Sequence, residues 1–350
     1  MDDYTLNKEL SEQEIKEQRI ILKSKPRKLA VILTSKCNLR CVMCPMTHFR
    51  KAHKTDNTIP FEAIKQIYNF LPYLEWIDWQ GGEVFVIDYF KELFLKAAAY
   101  PRITQDIITN GLLIDEEWAE IIVQNNVLLT YSIDSIRKET YEQIRRGARF
   151  EELIKSIEII NKYKERYNSK IRLLLNAVVM KCNYQELYLF PEFCRKYGFA
   201  HLRFDYLRHE VATDEDLFTN PEMSIIAEIK DACAEIGLKC RDFGIYFTHS
   251  LHSFLSPHRG SVKPQDDSVP FIPPCKSPWR KLTIEDSGGV RVDCKCPRIV
   301  GNIIETPLEE IWNSEAMQEY RSAILTGQMQ NLCSTICLNN AVESNFFEGI

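Results

Sequence analysis

Three cysteines, Cys37, Cys41 and Cys44, stand as Cys-x3-Cys-x2-Cys within the stretch KCNLRCVMC, so three thiols share one short segment. A 4Fe-4S cluster usually takes four cysteines, and one held by three leaves an iron open to an outside ligand. The same spacing also suits zinc with His48 as fourth ligand, or three cysteines packed as small hydrophobes. A second group follows far downstream: Cys275, thirteen residues, Gly289, four residues and Cys294, then Cys333 and Cys337 as Cys-x3-Cys. Four thiolates close a cubane completely and leave no iron vacant, which points to electron transfer or structure; a structural zinc has the same appetite.

Between the two groups lie polar motifs of other kinds. Gly81-Gly82-Glu83 sets a carboxylate behind two residues that permit close backbone approach. Thr109-Asn110-Gly111, Ser132-Ile133-Asp134 and Arg145-Arg146-Gly147 add an amide, a hydroxyl, a second carboxylate and guanidinium groups. A guanidinium binds a carboxylate in bidentate fashion. Taken singly, each triplet is also an ordinary turn or a solvated helical arginine.

The elements that must position these residues are legible as an alternation. Strand-like apolar runs occur at Lys28–Leu33, Glu75–Trp79, Gln105–Thr109, Leu128–Ile133, Lys170–Val179 and His201–Leu207. Segments of helical spacing separate them, as Phe90, Leu93, Phe94 and Ala97 illustrate. Six strand–helix units in about 200 residues predict an α/β fold, a parallel sheet wrapped by helices and closed partly or fully into a barrel. The first cysteine group, Gly81-Gly82-Glu83, Thr109-Asn110-Gly111 and Ser132-Ile133-Asp134 then fall at the C-terminal ends of strands, where such folds place their chemistry, and Arg145-Arg146-Gly147 follows the last of them. Residues 1–27 read as a charged N-terminal extension, 28–240 as the barrel, and 241–350 as a cysteine-bearing region entered through a loop from Phe247 to Pro274.

Together these residues resemble the radical S-adenosylmethionine superfamily, over most of the chain. The resemblance implies a partial (β/α)6 parallel barrel whose Cys37, Cys41 and Cys44 hold a 4Fe-4S cluster that binds S-adenosyl-L-methionine. It further implies that Gly81, Gly82 and Glu83 meet the methionine ammonium, and that Asn110, Ser132, Asp134 and Arg145 lie along the same ligand, Arg145 being favoured over Arg146. Two positions depart from the usual pattern: Met43 replaces an aromatic residue and Val84 a proline. Neither is a proposed ligand.

The C-terminal cysteines resemble the SPASM and twitch extensions of the same superfamily, with a strand over Trp279–Ile284 and a helix near Ile311 and Trp312. The Cys-x2-Cys-x5 portion that precedes the last pair in a full SPASM pattern is missing, which is closer to the single-cluster twitch form. The resemblance therefore implies one auxiliary 4Fe-4S cluster on Cys275, Cys294, Cys333 and Cys337, with Cys296 as a substitute ligand. Cys182, Cys194, Cys233 and Cys240 fall outside both groups and read mostly as core residues, one of them or Cys296 being an alternative hydrogen-atom donor.

The reaction so implied is reductive cleavage of S-adenosylmethionine to a 5′-deoxyadenosyl radical and hydrogen abstraction from a substrate. Oxidative modification or dehydrogenation follows, with an electron passing to the auxiliary cluster. Peptide or protein maturation and epimerisation are the alternatives, and a non-enzymatic iron–sulfur or zinc protein would need no Gly81-Gly82-Glu83 site. The implied partners are a small-molecule or short-peptide substrate, with the Phe247–Pro274 loop and its His249, His252, His258, Arg259 and Lys263 as a lid, and an electron donor such as flavodoxin or ferredoxin. The 27 residues ahead of the first strand are too few for a separate leader-recognition domain. A net charge of -5 and a pI near 5.9 disfavour nucleic acid and anionic membranes as partners. No stretch reaches eighteen apolar residues and no signal peptide opens the chain, so a cytoplasmic protein with reduced thiols is expected.

Overall fold

The computed structural model describes residues 2–53, 56–207, 214–251, 275–329 and 332–333. Its centre is one sheet of ten strands: β1 Lys28–Ile32, β2 Trp76–Gln80, β3 Thr104–Thr109, β4 Val127–Ser132, β5 Arg172–Val179, β6 His201–Tyr206, β7 Tyr246–His249, β8 Lys281–Ile284, β9 Gly289–Arg291 and β10 Gly301–Asn302. The spatial order is β10-β9-β8-β1-β2-β3-β4-β5-β6-β7. Pairing is parallel from β8 through β1 to β7, and antiparallel only among β8, β9 and β10. The order runs from edge to edge, so among the described residues no strand pairing closes the sheet into a ring.

Six of these strands match the expected runs to within two residues at either end. Two expectations need correction. The alternation does not stop near residue 240: a helix over Met223–Asp242 leads into β7, which pairs with β6 and takes Phe247 and His249 out of the expected loop. Its remainder, including His252, His258, Arg259 and Lys263, lies in 252–274, outside the described residues. The strand placed at Trp279–Ile284 begins only at Lys281, because Ser277–Arg280 forms a helical turn that buries Trp279. The helix near Ile311 is present as Leu308–Trp312.

The two faces of the sheet differ in kind. One carries Leu29, Val31, Ile77, Trp79, Ile107, Leu129, Leu173, Leu175, Leu202 and Phe204, packed in a single core with helix residues such as Phe90, Leu93, Phe94 and Ala97. Residues two apart in a strand share a face, so the register puts Asp78, Asp106, Thr130, Arg172, His201, Arg203 and Lys281 on the other. That inner face is polar where the interior of a small filled barrel is apolar.

The N-terminal segment is bolted to the far end of the chain. The helix over Asp3–Lys16 sets Glu12 between Arg27 at 2.7 Å and Arg280 at 2.6 Å. Ser11 Oγ donates to the Trp279 carbonyl, Trp279 Nε1 to the Arg19 carbonyl and Trp312 Nε1 to the Ser24 carbonyl. The buried guanidinium of Arg321 donates to the carbonyls of Ile20, Pro278 and Trp312.

Candidate active site

The cysteine loop leaves β1 and is tied on both sides. Arg40 N and Val42 N donate to the carbonyls of Arg146 and Ile144 at 2.9 and 3.0 Å, joining it to the segment that carries Arg145. Arg50, on the helix over Pro45–His53, donates to the carbonyls of Cys37 and Leu39. The ring of His48 lies 3.0 Å from the Val42 carbonyl, so its Nε2 is engaged with backbone. Among the described residues, no three His, Cys, Asp or Glu side chains converge as the ligands of one ion would.

Gly81 and Gly82 have a task that the sequence did not disclose. Gly82 N donates to the Thr34 carbonyl at 2.6 Å and Glu83 N to the Lys36 carbonyl at 2.9 Å, so the end of β2 grips the strand just before Cys37. A Cβ on Gly81 would stand 2.5 Å from Thr34 O, and one on Gly82 would stand 2.8 Å from Ser35 O. The close approach that glycine allows here is to the cysteine loop itself.

Glu83 is wholly buried. Its carboxylate accepts from Thr109 Oγ1 at 2.9 Å, Asn110 N at 2.8 Å and Phe85 N at 3.4 Å, which ties the end of β2 to the end of β3. Burial pushes its pKa up to about 7, against those hydrogen bonds. Asn110 reaches the cysteine loop: its Nδ2 donates to Asn38 Oδ1 at 2.8 Å and lies 3.9 Å from Cys37 Sγ. Ser132 ends β4 beside Asn176 of β5.

Asp134 and Arg145 form a buried ion pair at 2.7 Å. Asp134 also accepts from Val178 N, and its own carbonyl accepts from Asn183 Nδ2. Burial raises the Asp134 pKa despite the guanidinium. Burial alone would lower that of Arg145, but Asp134 and Cys41 hold it above its ordinary value. Arg145 Nη1 lies 4.0 Å from Cys41 Sγ, while Arg146 is exposed. Cys41 is buried, which pushes its thiol up to about 12.

These surroundings fit a cluster with negative charge. Leu39 N donates to Cys37 Sγ at 3.3 Å, Asn110 Nδ2 and Arg145 Nη1 stand at the thiols, and Arg145 Nε is buried with no hydrogen-bond partner. Donors gathered around sulfur are what an iron–sulfur cluster needs from its second shell.

The later cysteines lie toward the opposite end of the strands. β8 runs parallel to β1 with Lys281 opposite Lys28, and Cys275 precedes it. β9 returns antiparallel, so Asp293 comes back beside Lys281 at 3.0 Å and Cys294 follows. Cys37, Cys41 and Cys44 stand beyond the opposite end of β1, whose four residue steps span roughly 13 Å. Cys333 is half-buried, Cys296 is buried, and Cys337 lies outside the described residues. Of the remaining cysteines, Cys194, Cys233 and Cys240 are core residues, and Cys182 is exposed.

Between the two strand ends sits a polar cluster with no motif of its own in the sequence. Asp78 and Asp106 are direct neighbours on β2 and β3. Asp78 accepts from Trp76 Nε1 and lies 3.8 Å from Lys281 Nζ; Asp106 accepts from Thr130 Oγ1 at 2.7 Å. Burial, then the neighbouring Asp78, pushes Asp106 up to about 7. Burial, then Arg203 and Arg172, pushes His201 down to about 4. The sequence signal was Asp78, which breaks the aromatic and apolar run Trp76–Trp79; Asp106 sits among Gln105 and Thr104 and does not stand out.

Residues 31–181 match the Radical SAM superfamily and residues 275–338 match SPASM, an iron–sulfur cluster-binding domain. Over 187 residues the chain is 27% identical to a cysteine-type anaerobic sulfatase-maturating enzyme of Clostridium novyi (strain NT), covering 49% of this chain and 48% of that protein. It is 28% identical over 176 residues to a GTP 3′,8-cyclase of Clostridium botulinum (strain Hall), covering 48% and 53%. The chain thus spans about half the length of the curated relatives it matches. Its fold is similar to that of Streptococcus suis SuiB bound to S-adenosylmethionine, with a TM-score of 0.66 at 17% identity over 91% of this chain and 72% of that one. It is also similar to anSMEcpe with bound AdoMet, at TM-score 0.60 and 18% identity over 84% and 82%. No helix among the described residues is long and apolar enough to cross a membrane. The two matched domains imply a 4Fe-4S cluster with S-adenosylmethionine in the first and auxiliary iron–sulfur binding in the second, and the chain carries a radical SAM domain followed by a C-terminal SPASM domain.

Proposed function

We propose that this enzyme oxidatively modifies a short peptide held against the polar inner face of the sheet, between two iron–sulfur sites. In this reading Cys37, Cys41 and Cys44 hold the first cluster, and Cys275, Cys294, Cys333 and Cys337 hold a single auxiliary cluster. Bound at the first site, S-adenosylmethionine supplies a 5′-deoxyadenosyl radical on one-electron reduction. What supports the proposal is that Cys37, Cys41 and Cys44 follow the C-terminal end of β1 whereas Cys275 and Cys294 flank the opposite end of the adjacent strand β8, with Asp78, Asp106 and Lys281 on the sheet face between. A substrate there meets the radical from one side and an electron acceptor from the other.

The chain's own residues have distinct tasks in this scheme. Gly81, Gly82 and Glu83 fix the cysteine loop and the Asn110 turn, Asp134 fixes Arg145, and Arg145, Asn110 and Ser132 face the bound cofactor. Asp106, poised near neutrality, takes the proton released when the substrate is oxidised. A peptide is favoured over a small molecule because SuiB has a structure with the precursor peptide SuiA and anSMEcpe one with the Cp18Cys peptide. A flavodoxin or ferredoxin supplies the reducing electron.

Anaerobic reconstitution, iron counting and assay of 5′-deoxyadenosine test the reading. Cys37→Ala, Cys41→Ala and Cys44→Ala are each expected to abolish 5′-deoxyadenosine formation. Retained formation sinks the assignment, and turnover of small molecules but of no peptide in a substrate screen overturns the substrate class.

A further inference from the structure

Tyr141 lies in the helix over Lys138–Ile144, one turn before Arg145, whose backbone N donates to the Tyr141 carbonyl at 2.8 Å. Its ring is fully buried and packs edge-on against Phe150 at 5.4 Å. The hydroxyl is closed off from solvent and has no hydrogen-bond partner. A buried tyrosine ordinarily finds a partner for its O–H, and leaving one unmet is destabilising. Phe at this position would fill the same volume without that cost.

The surroundings show what the hydroxyl is for. Arg145, one helical turn on, reaches to 4.0 Å from Cys41 Sγ, and the charges that act on the hydroxyl are those of Arg145, Asp134, Cys41 and Glu142. Arg145 Nε, a second buried donor without a partner, is found in the same place. Asp134 is already committed to Arg145 at 2.7 Å and to Val178 N at 2.9 Å. Asp134 Oδ2 is itself buried there without a hydrogen-bond partner, so neither unspent donor is placed to bond it, and an acceptor brought to the Cys41 corner would meet both.

We propose that Tyr141 is a positioning and tuning residue for the first cluster, its hydroxyl donating a hydrogen bond to sulfur at the Cys41 corner when the cluster is in place. This rests on the assignment of Cys41 as a ligand. Sulfur gains negative charge when the cluster is reduced, so a donor stabilises the reduced form and raises the reduction potential. Removing it lowers the potential. The helix that supplies Arg145 thereby sets how readily the first cluster takes its electron.

The test is a redox titration of the holoenzyme, following by electron paramagnetic resonance the reduced-cluster signal that changes when S-adenosylmethionine is added. Tyr141→Phe should load the first cluster fully and shift its one-electron equilibrium about tenfold toward the oxidised form, ~59 mV more negative. Replacing Tyr141 by 3-fluorotyrosine, a stronger donor, should shift the potential in the opposite direction. An exchangeable-proton coupling to the cluster, read in deuterium oxide, should vanish in Tyr141→Phe. An unchanged potential and an unchanged proton coupling in fully loaded Tyr141→Phe overturn the proposal. Absence of any signal responsive to S-adenosylmethionine in the unmodified enzyme overturns the Cys41 assignment instead, so the two failures are distinguishable. If Tyr141→Phe loads poorly, the 3-fluorotyrosine enzyme decides alone: a potential equal to that of the unmodified enzyme refutes the hydrogen bond.

Discussion

Gly82→Ala tests whether the glycine pair serves the cysteine loop. The added methyl would run into Lys36 O first, and would stand 2.6 Å from Lys36 C and 2.8 Å from Ser35 O, against 3.4 Å for ordinary contact. All three obstacles are backbone, so the loop must give by more than an ångström. Overpacking of this kind costs ~1–3 kcal/mol. The two hydrogen bonds that clamp the loop, Gly82 N to Thr34 O and Glu83 N to Lys36 O, are each worth about 1 kcal/mol net. A total of ~3–5 kcal/mol, at about 2 °C per kcal/mol for a chain of this size, lowers Tm by roughly 6–10 °C. Because the strain falls on the approach to Cys37, the first cluster should be lost or loosely held while auxiliary iron stays. Calorimetry of the apo-protein and iron counting after reconstitution measure both effects. Gly244→Ala is the control: Gly244 has φ +69° and nothing within 4 Å of an added Cβ, so it should cost only ~1–2 kcal/mol and leave iron untouched. Equal Tm losses in the two variants, or full first-cluster loading in Gly82→Ala, would refute the clamp.

Asp134→Ala leaves the Arg145 guanidinium buried without its counter-charge and should cost ~3–5 kcal/mol in denaturant unfolding; a loss below 1 kcal/mol would mean that the pair is solvated. Asp106 carries a folded pKa of about 7, above its unfolded value, so its contribution to stability is fully present below pH ~4 and is lost as pH rises through about 7. Asp106→Asn should remove that decline and leave the apo-protein more stable at pH 8 by on the order of 2 kcal/mol, seen as a flatter profile of Tm against pH. Cys275→Ala combined with Cys294→Ala should reduce iron from about eight to about four per chain while uncoupled cleavage of S-adenosylmethionine survives. Zinc at the second site in anaerobically purified protein would overturn its redox role.

What the sequence revealed and what it hid have a physical pattern. β1 to β6 were legible because each is a run bounded by turn residues and followed by a helical repeat, and the site motifs stood out because each follows such a run. β7 was hidden because Tyr246–His249 is four residues long and mixes aromatic, hydroxyl and imidazole side chains. Asp78 and Asp106 were hidden for another reason. A run such as Trp76–Gln80 does not say which face it buries, and only the register with β1 and β3 puts its aspartate on the polar side. Glu83 was recognisable as a motif residue, but its three donors come from Phe85, Thr109 and Asn110, and no spacing in the chain announces two of those contacts. Residues 1–27 looked like an appendage since their partners lie more than 250 positions away.

Those distant partners give the molecule an order of assembly. A chain emerges from the ribosome at roughly 5–20 residues per second, so residues that must find Trp279 and Arg321 wait on the order of 15–60 s for them to be made. During that interval the β1–β6 core has all its strands, the cysteine loop is tethered, and the helix over Asp3–Lys16 has yet to dock. All the residues of the first site are therefore made before Trp279 and Arg321, the partners that lock the N-terminal segment down. Ser11, Glu12 and Arg321 act as the clasp that closes behind that site.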